Sequence, residues 1–224
     1  MGNLRYKFKI FKSGFTLAEV LITLVIVGVI AALTIPTVVN NTKKHEYVSK
    51  LKKNYSVFAQ VTSKIIAENG MPENWITTRE NLYNLYKHNL SVAKDCGSNS
   101  GCFQQASEIK MLNGNSIGSN TYDTTGGMRF ILSDGTQVRF GSFYPLCNDN
   151  DNGHSKDICA FIMVDLNGEK KPNTFGRDIF TFVITKEGFF PRGCYDGYSN
   201  LECGKYSSGS DCACKVLREN AMNY

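Results

Sequence analysis

The sequence lacks the short motifs that mark most catalytic centres. It contains no G-x-S-x-G, no H-E-x-x-H and no glycine-rich phosphate-binding loop. Its S-x-x-K match, Ser91 to Lys94, stands without the K-T-G or S-D-N elements that accompany it in enzymes. We therefore expect a protein that is not an enzyme, and keep a membrane-anchored enzyme only as an alternative.

Zinc-ligand spacing is also missing. The chain has no C-x-x-C pair, and His45, His88 and His154 do not lie at ligand spacing. No cysteine precedes residue 96, and the eight that follow are Cys96, Cys102, Cys147, Cys159, Cys194, Cys203, Cys212 and Cys214. An even number of cysteines behind an apolar amino-terminal segment predicts disulfides formed outside the cytoplasm.

The connectivity of these cysteines does not follow from the sequence. The short loop from Cys96 to Cys102 is the best single candidate for a bridge. Cys212 and Cys214 are expected to bond to separate, distant partners, because alternate residues of an extended segment point to opposite faces.

Acidic residues are absent from the first 18 positions, whereas four basic residues lie before Gly14. When those four are left out, 21 basic and 20 acidic residues remain, so the net charge falls from +5 to +1. A nearly neutral remainder gives no reason to expect nucleic-acid binding. A mixture of basic and aromatic residues, Arg129, Arg139, Phe140 and Tyr144, keeps a surface- or DNA-binding module as an alternative.

One long apolar run extends from Phe15 to Pro36, interrupted only by three threonines and Glu19. As a helix it is long enough to cross a hydrocarbon core of roughly 30 Å. The basic residues before it predict a cytoplasmic amino terminus, with the rest of the chain outside. A single carboxylate in hydrocarbon is costly unless a partner group compensates its charge. We therefore expect Glu19 to pair with a group outside this chain.

The stretch KSGFTLAE, Lys12 to Glu19, followed by the apolar run, resembles the amino-terminal signature of type IV pilins and type II secretion pseudopilins. The resemblance implies that a prepilin peptidase cuts between Gly14 and Phe15 and methylates the new amine. It also implies that Glu19 pairs with the amine of a neighbouring copy or related pilin at an inner-membrane assembly platform. Pro36 is expected to kink or locally open the helix.

Four segments are expected along the chain. They are a basic leader that is removed (1–14), a transmembrane and assembly helix (15–36), its amphipathic continuation (37–68) and a disulfide-stapled head domain (69–224). The head is expected in the periplasm or on the cell surface, and the precursor as a single-pass inner-membrane protein. No cofactor is implied.

The order of helix and strand patterns in the head domain predicts an α+β fold. The long helix is expected to pack on an antiparallel sheet of about four strands, as in a pilin-like roll. The expected strands are Met128–Leu132, Gln137–Phe140, Cys159–Val164 and Asp178–Ile184. A second helix is expected from a capping box at Thr77 to Glu80. Residues 97–127 and 194–211 are expected to be exposed loops.

The segment after the third strand begins like a calcium-binding loop. It offers Asp165 and Asn167, with Asn173 and Asp178 as further oxygen ligands. It lacks the twelfth-position acid of an EF-hand, where Gly176 stands. The simpler interpretation, which we favour here, is a hairpin connection with an Asn-Gly turn. Some pseudopilins bind calcium in a comparable loop, so a weak calcium site stays open.

Overall fold

The computed structural model describes residues 14–117, 127–149, 157–194 and 203–224. The chain divides into two compact units, Met1–Lys43 and Lys44–Tyr224. One helix, α1 (Leu17–Asn69), begins in the first unit and continues into the second. The leader before Gly14 lies outside the described residues, and the four expected segment boundaries stay predictions.

The described part of the first unit, residues 14–43, contains the apolar part of α1. Its large side chains are exposed in the single chain, for example Phe15 at 88% and Leu33 at 73%. By length and composition this helix could cross a membrane. Pro36 lies inside a helix that is continuous around it, and its ring leaves the carbonyl of Ala32 without the usual helical donor. The kink expected there stays a prediction.

The second unit contains one antiparallel sheet whose six strands follow each other in sequence order. They are β1 (Val92–Gly97), β2 (Met128–Leu132), β3 (Gln137–Phe143), β4 (Ile158–Asp165), β5 (Ile179–Thr185) and β6 (Gly188–Pro191). The α+β prediction is confirmed, but the expected number of about four strands is wrong. The two missed strands are the edges: β1 has no buried residue and shows no apolar alternation, and β6 has only four residues.

The inner face of the sheet packs against α1 and against α3 (Arg79–Asn89), which follows the one-turn helix α2 (Pro72–Trp75). Phe58 of α1 is fully buried, and its ring stacks on Phe189 at 5.6 Å and on Tyr86 at 6.0 Å. The cap of α3 lies one residue later than predicted, because Thr78 accepts the backbone N–H of Asn81.

The outer face of the sheet is covered by irregular chain. A second apolar cluster forms there from Phe103, Ala106, Ile109, Ile117, Met163, Phe175 and Ile179. The expectation of a loop over 97–127 is right for its described part, which ends at residue 117 and is largely irregular, but the expectation that it is exposed is wrong for its buried apolar residues. The sequence suggested a loop because this segment lacks a regular period, although its scattered apolar residues are buried. In the other expected loop, residues 195–202 lie outside the described part, and Cys203 and Ser207 are buried.

All eight cysteines form disulfides: Cys96–Cys102, Cys147–Cys159, Cys194–Cys214 and Cys203–Cys212. The loop bridge favoured from the sequence is among them. Cys212 and Cys214 bond to separate partners, but they lie on helix α4 (Cys212–Glu219) and not on an extended segment. Residues two apart on a helix are about 200° apart around its axis, so they also point in different directions.

Candidate functional site

The amino terminus of α1 is organised by a reciprocal pair of hydrogen bonds between Thr16 and Glu19. The backbone N–H and the hydroxyl of Thr16 both donate to Oε2 of Glu19, each at 2.8 Å. The backbone N–H of Glu19 donates to Oγ1 of Thr16 at 3.2 Å. This is a capping box, in which the carboxylate and the hydroxyl satisfy helix donors that would otherwise lack partners.

Glu19 therefore has a local role before any neighbour is considered. Its side chain is exposed in the single chain and lies among exposed apolar residues such as Phe15, Leu17 and Ile22. A carboxylate has about four acceptor positions, and Thr16 uses two of them. Glu19 can thus keep its capping box and still accept a donor from outside the chain.

A family model described as the prokaryotic N-terminal methylation motif matches residues 11–35. The match contains Gly14, Phe15, Glu19 and most of the apolar run, which the structure presents as exposed helix. The chain carries the signature of type IV pilins and pseudopilins. This pilin-type motif and the long apolar helix fit a precursor that is anchored in the inner membrane. No curated protein and no solved structure matches the chain.

Thr16 is the residue that sequence reasoning missed at this end of the chain. The signal was present, since Thr16 and Glu19 have the T-x-x-E spacing of a capping box just before an apolar run. The pilin-type motif drew attention to Glu19 as an intermolecular partner only. The structure adds an intramolecular partner, and any test of Glu19 has to separate the two.

Of the four residues named as calcium candidates, Asp165 ends β4, and Asn167, Asn173 and Asp178 lie in the connection between β4 and β5. Asp165 and Asp178 are both fully buried. The backbone N–H groups of Asn173 and Thr174 donate to the two oxygens of Asp178 at 2.8 and 2.7 Å. Asp165 Oδ1 accepts the backbone N–H of Asn167 at 3.1 Å. The connection is thus folded around its own two carboxylates.

Burial has a strong electrostatic effect on this carboxylate pair. Desolvation, together with the nearby charge of Asp178, raises the pKa of Asp165 to about 8. Desolvation also raises the pKa of Asp178, against the lowering effect of its backbone donors. No group of three or more His, Cys, Asp or Glu side chains that could hold a metal ion occurs within the described ranges. Any cation held here would therefore need amide or carbonyl oxygens as well.

The proposed surface mixture of basic and aromatic residues does not form a surface. Arg129, Arg139 and Phe140 are buried, with 2%, 7% and 0% of their surfaces exposed, and Tyr144 is half-buried. The guanidinium of Arg129 donates to the carbonyls of Ser98 and Asn99. Arg129 thus bonds the outer layer to the sheet, whereas Phe140 packs in the inner core against Tyr83 and Tyr86, so these residues do not form one exposed patch.

Proposed function

We propose that the protein is a structural subunit of a type IV pilus or of a type II secretion pseudopilus. The observation that carries this proposal is the methylation motif at residues 11–35, which contains the start of a helix whose apolar side chains are exposed. Exposed apolar surface of this length has to be covered by lipid or by other helices. A subunit that moves from a membrane into a filament meets both conditions in turn. Such subunits are usually not enzymes.

The proposed sequence of events begins with the leader in the cytoplasm. A prepilin peptidase hydrolyses the peptide bond between Gly14 and Phe15. It then transfers a methyl group to the new amine from a sulfonium methyl donor, which leaves as the thioether. Methylation keeps the positive charge of that amine. At the inner-membrane assembly platform, the amine of one subunit pairs with Glu19 of its neighbour. A charge-assisted hydrogen bond in a low-dielectric environment is directional, so it sets the axial register of the two helices.

The alternative function is that of a minor tip pilin that acts as an adhesin or takes up DNA. The nearly neutral head and the burial of Arg129 and Arg139 weaken the DNA-binding form of this alternative. The two functions differ in abundance. A structural subunit recurs along the filament, whereas a tip protein is present in few copies.

The test is to shear filaments from the native host, or from a strain that overproduces the pseudopilus, and to run the sheared fraction on a gel. We expect the processed chain to be a dominant band, and filaments to be lost when its gene is deleted. A trace amount on otherwise normal filaments would favour the tip protein. A chain that stays in the membrane fraction, with no effect of its deletion on filaments, would exclude both.

A further inference from the structure

A polar cavity lies on the outer face of the sheet, beneath the irregular chain that covers it. Its volume is about 460 Å³, a size typical of small-molecule sites, and it opens at the surface. Its lining comes from residues 100–108, from β2 and β3, and from the β4–β5 connection. The described lining includes no residue of α1, so the cavity has no part in the assembly proposed above.

Three of the side chains that line the cavity are carboxamides whose oxygen accepts no hydrogen bond from the described residues. Gln137 and Asn173 are only 2% and 5% exposed, and Gln104 is half-buried. Buried polar groups in native proteins nearly always have a partner, either within the protein or in a bound molecule. Three unsatisfied carboxamides around one cavity therefore indicate a polar occupant.

The chain around these carboxamides is held in place by contacts within the protein. The side-chain amide of Gln104 donates to the carbonyl of Gly168 at 2.6 Å. The backbone N–H of Asn173 donates to Asp178 at 2.8 Å, and its carbonyl accepts the N–H of Lys110 at 2.9 Å. The third carboxamide lies on β3, between two paired strands. Groups that are positioned before a ligand arrives lose less entropy when it binds.

The charges around the cavity favour a neutral ligand. Glu108 and Glu169 line it and are exposed, so they repel an anion such as a phosphate ester. The guanidinium of Arg129, which is 2% exposed, also lines the cavity and repels a cation that enters it. A neutral ligand avoids both costs.

Hydroxyl groups are the best match for the unsatisfied carboxamides. A carboxamide can present either its oxygen or its NH₂ group, and a hydroxyl pairs with both because it donates and accepts. The cavity also has an apolar wall, Phe103, which is 9% exposed. A sugar ring offers both surfaces that such a lining needs, hydroxyls at its edge and C–H groups on its faces.

We propose that this cavity binds a neutral saccharide through the carboxamides of Gln104, Gln137 and Asn173. The carboxamides pair with ring hydroxyls, and Phe103 packs against the C–H groups. Ordered water is the simpler occupant, and a sugar displaces it only if its hydroxyls reproduce the hydrogen bonds of the water. The opening at the surface admits either a free sugar or the end of a glycan chain.

Two variants remove carboxamides without disturbing the fold. Gln137→Met removes an unsatisfied buried amide at nearly constant volume, so it should be at least as stable as the wild type. Asn173→Gly keeps the backbone, because Asn173 has φ +49° and glycine adopts this conformation without strain. Gln60→Met is the matched control, since Gln60 is exposed on α1 and bonds only to Ser56 among the described side chains.

The experiment uses the full chain in a detergent without a sugar headgroup. Ligand-observed NMR titrates glucose, galactose, mannose and N-acetylglucosamine up to about 50 mM. We expect at least one to bind with a dissociation constant of about 1 mM. Its affinity should fall about fivefold or more in Gln137→Met and in Asn173→Gly, and stay unchanged in Gln60→Met. Methyl glycosides of the sugar that binds distinguish the two sources, since they should bind only if the end of a glycan chain fits.

Thermal melts give a second readout. A sugar at about 50 times its dissociation constant should raise the melting temperature of the wild type by about 5 °C or more. Gln137→Met at the same concentration corrects for the general stabilising effect of sugars as osmolytes. The absence of saturable binding by all four sugars would overturn the proposal. So would wild-type affinity in both cavity variants, or binding of the diamine putrescine in place of the sugars.

Discussion

Replacing Glu19 with glutamine separates the two roles that the structure gives this side chain. Glutamine at the third helical position keeps a capping box, because its side-chain oxygen still accepts the backbone N–H of Thr16. It removes the charge that would pair with a neighbouring amine. Thr16→Ala is the complementary variant, because it removes the hydroxyl of the capping box and leaves the carboxylate charged.

The magnitudes of the two effects differ enough to be told apart. Loss of the threonine cap costs about 1 kcal/mol of helix stability in one subunit. Loss of a hydrogen bond to a charged partner costs about 1.5–3 kcal/mol at each contact between subunits. At 1.4 kcal/mol for each factor of ten, 2 kcal/mol weakens the addition of every subunit by about 30-fold. Assembly multiplies this effect, since every added subunit depends on the same contact.

The assay is the amount of chain in the sheared filament fraction, measured by immunoblot against the amount of processed chain in the membrane. We expect Glu19→Gln to abolish filaments and Thr16→Ala to reduce them modestly, both at unchanged processing. Glu46→Gln is the matched control, because this exposed acid lies on the same helix and forms a surface ion pair with Lys50. Normal filaments from Glu19→Gln would refute the charge-pairing argument. Equal losses in Glu19→Gln and Thr16→Ala would assign the effect to the cap.

The head domain allows three further predictions. Phe58→Ala should lower the free energy of unfolding by about 3–5 kcal/mol, because this ring is fully buried between two aromatic neighbours, and urea denaturation in detergent measures it. Replacing the Cys194–Cys214 pair with serines should cost about 3 kcal/mol in the same assay, since it opens a loop with a sequence separation of 20. Hydrogen bonding from Tyr83 lowers the pKa of Asp95, so this carboxylate stabilises the fold above about pH 4, and that contribution is lost as the pH falls further. Asp95→Asn should make the free energy of unfolding depend less steeply on pH below pH 5. The expected difference is only about 0.5 kcal/mol, because the Asp95 side chain is 43% exposed. Thermal melts from pH 3 to 6 measure this dependence, and the same slope in variant and wild type would contradict the prediction.

Periodicity predicted the parts of the fold in which one face is buried and the other exposed. The outer half of α1 repeats apolar residues at helical spacing, and the observed end at Asn69 is within one residue of the predicted end. The predicted strands Met128–Leu132 and Gln137–Phe140 are separated by a short segment containing Asp134-Gly135, a pair typical of hairpin turns, and in the structure Gly135 has φ +84°. Local chemistry specifies both elements, so a single sequence suffices to find them.

The remaining features depend on contacts between distant segments. β1 has no alternating pattern, and its place at the sheet edge follows from its pairing with β2. The pairing of Gln137 with Asp165 across β3 and β4 could not be predicted, because 28 positions separate the two residues in the sequence and the register of the strands was not known. Arg129 and Arg139 suggested a surface, yet strand alternation places them beneath the outer layer. That layer has no regular period of its own, so the sequence did not show that it covers the sheet.

The most direct measurement of the central claim is the amino-terminal residue of the protein purified from its native host. Mass spectrometry of the first tryptic or chymotryptic peptide distinguishes a chain that begins at Met1 from one that begins at Phe15. We predict that it begins at Phe15 with one added methyl group on the amine. A protein that retains residues 1–14 would never expose the amine that Glu19 is proposed to bind, and would contradict the account.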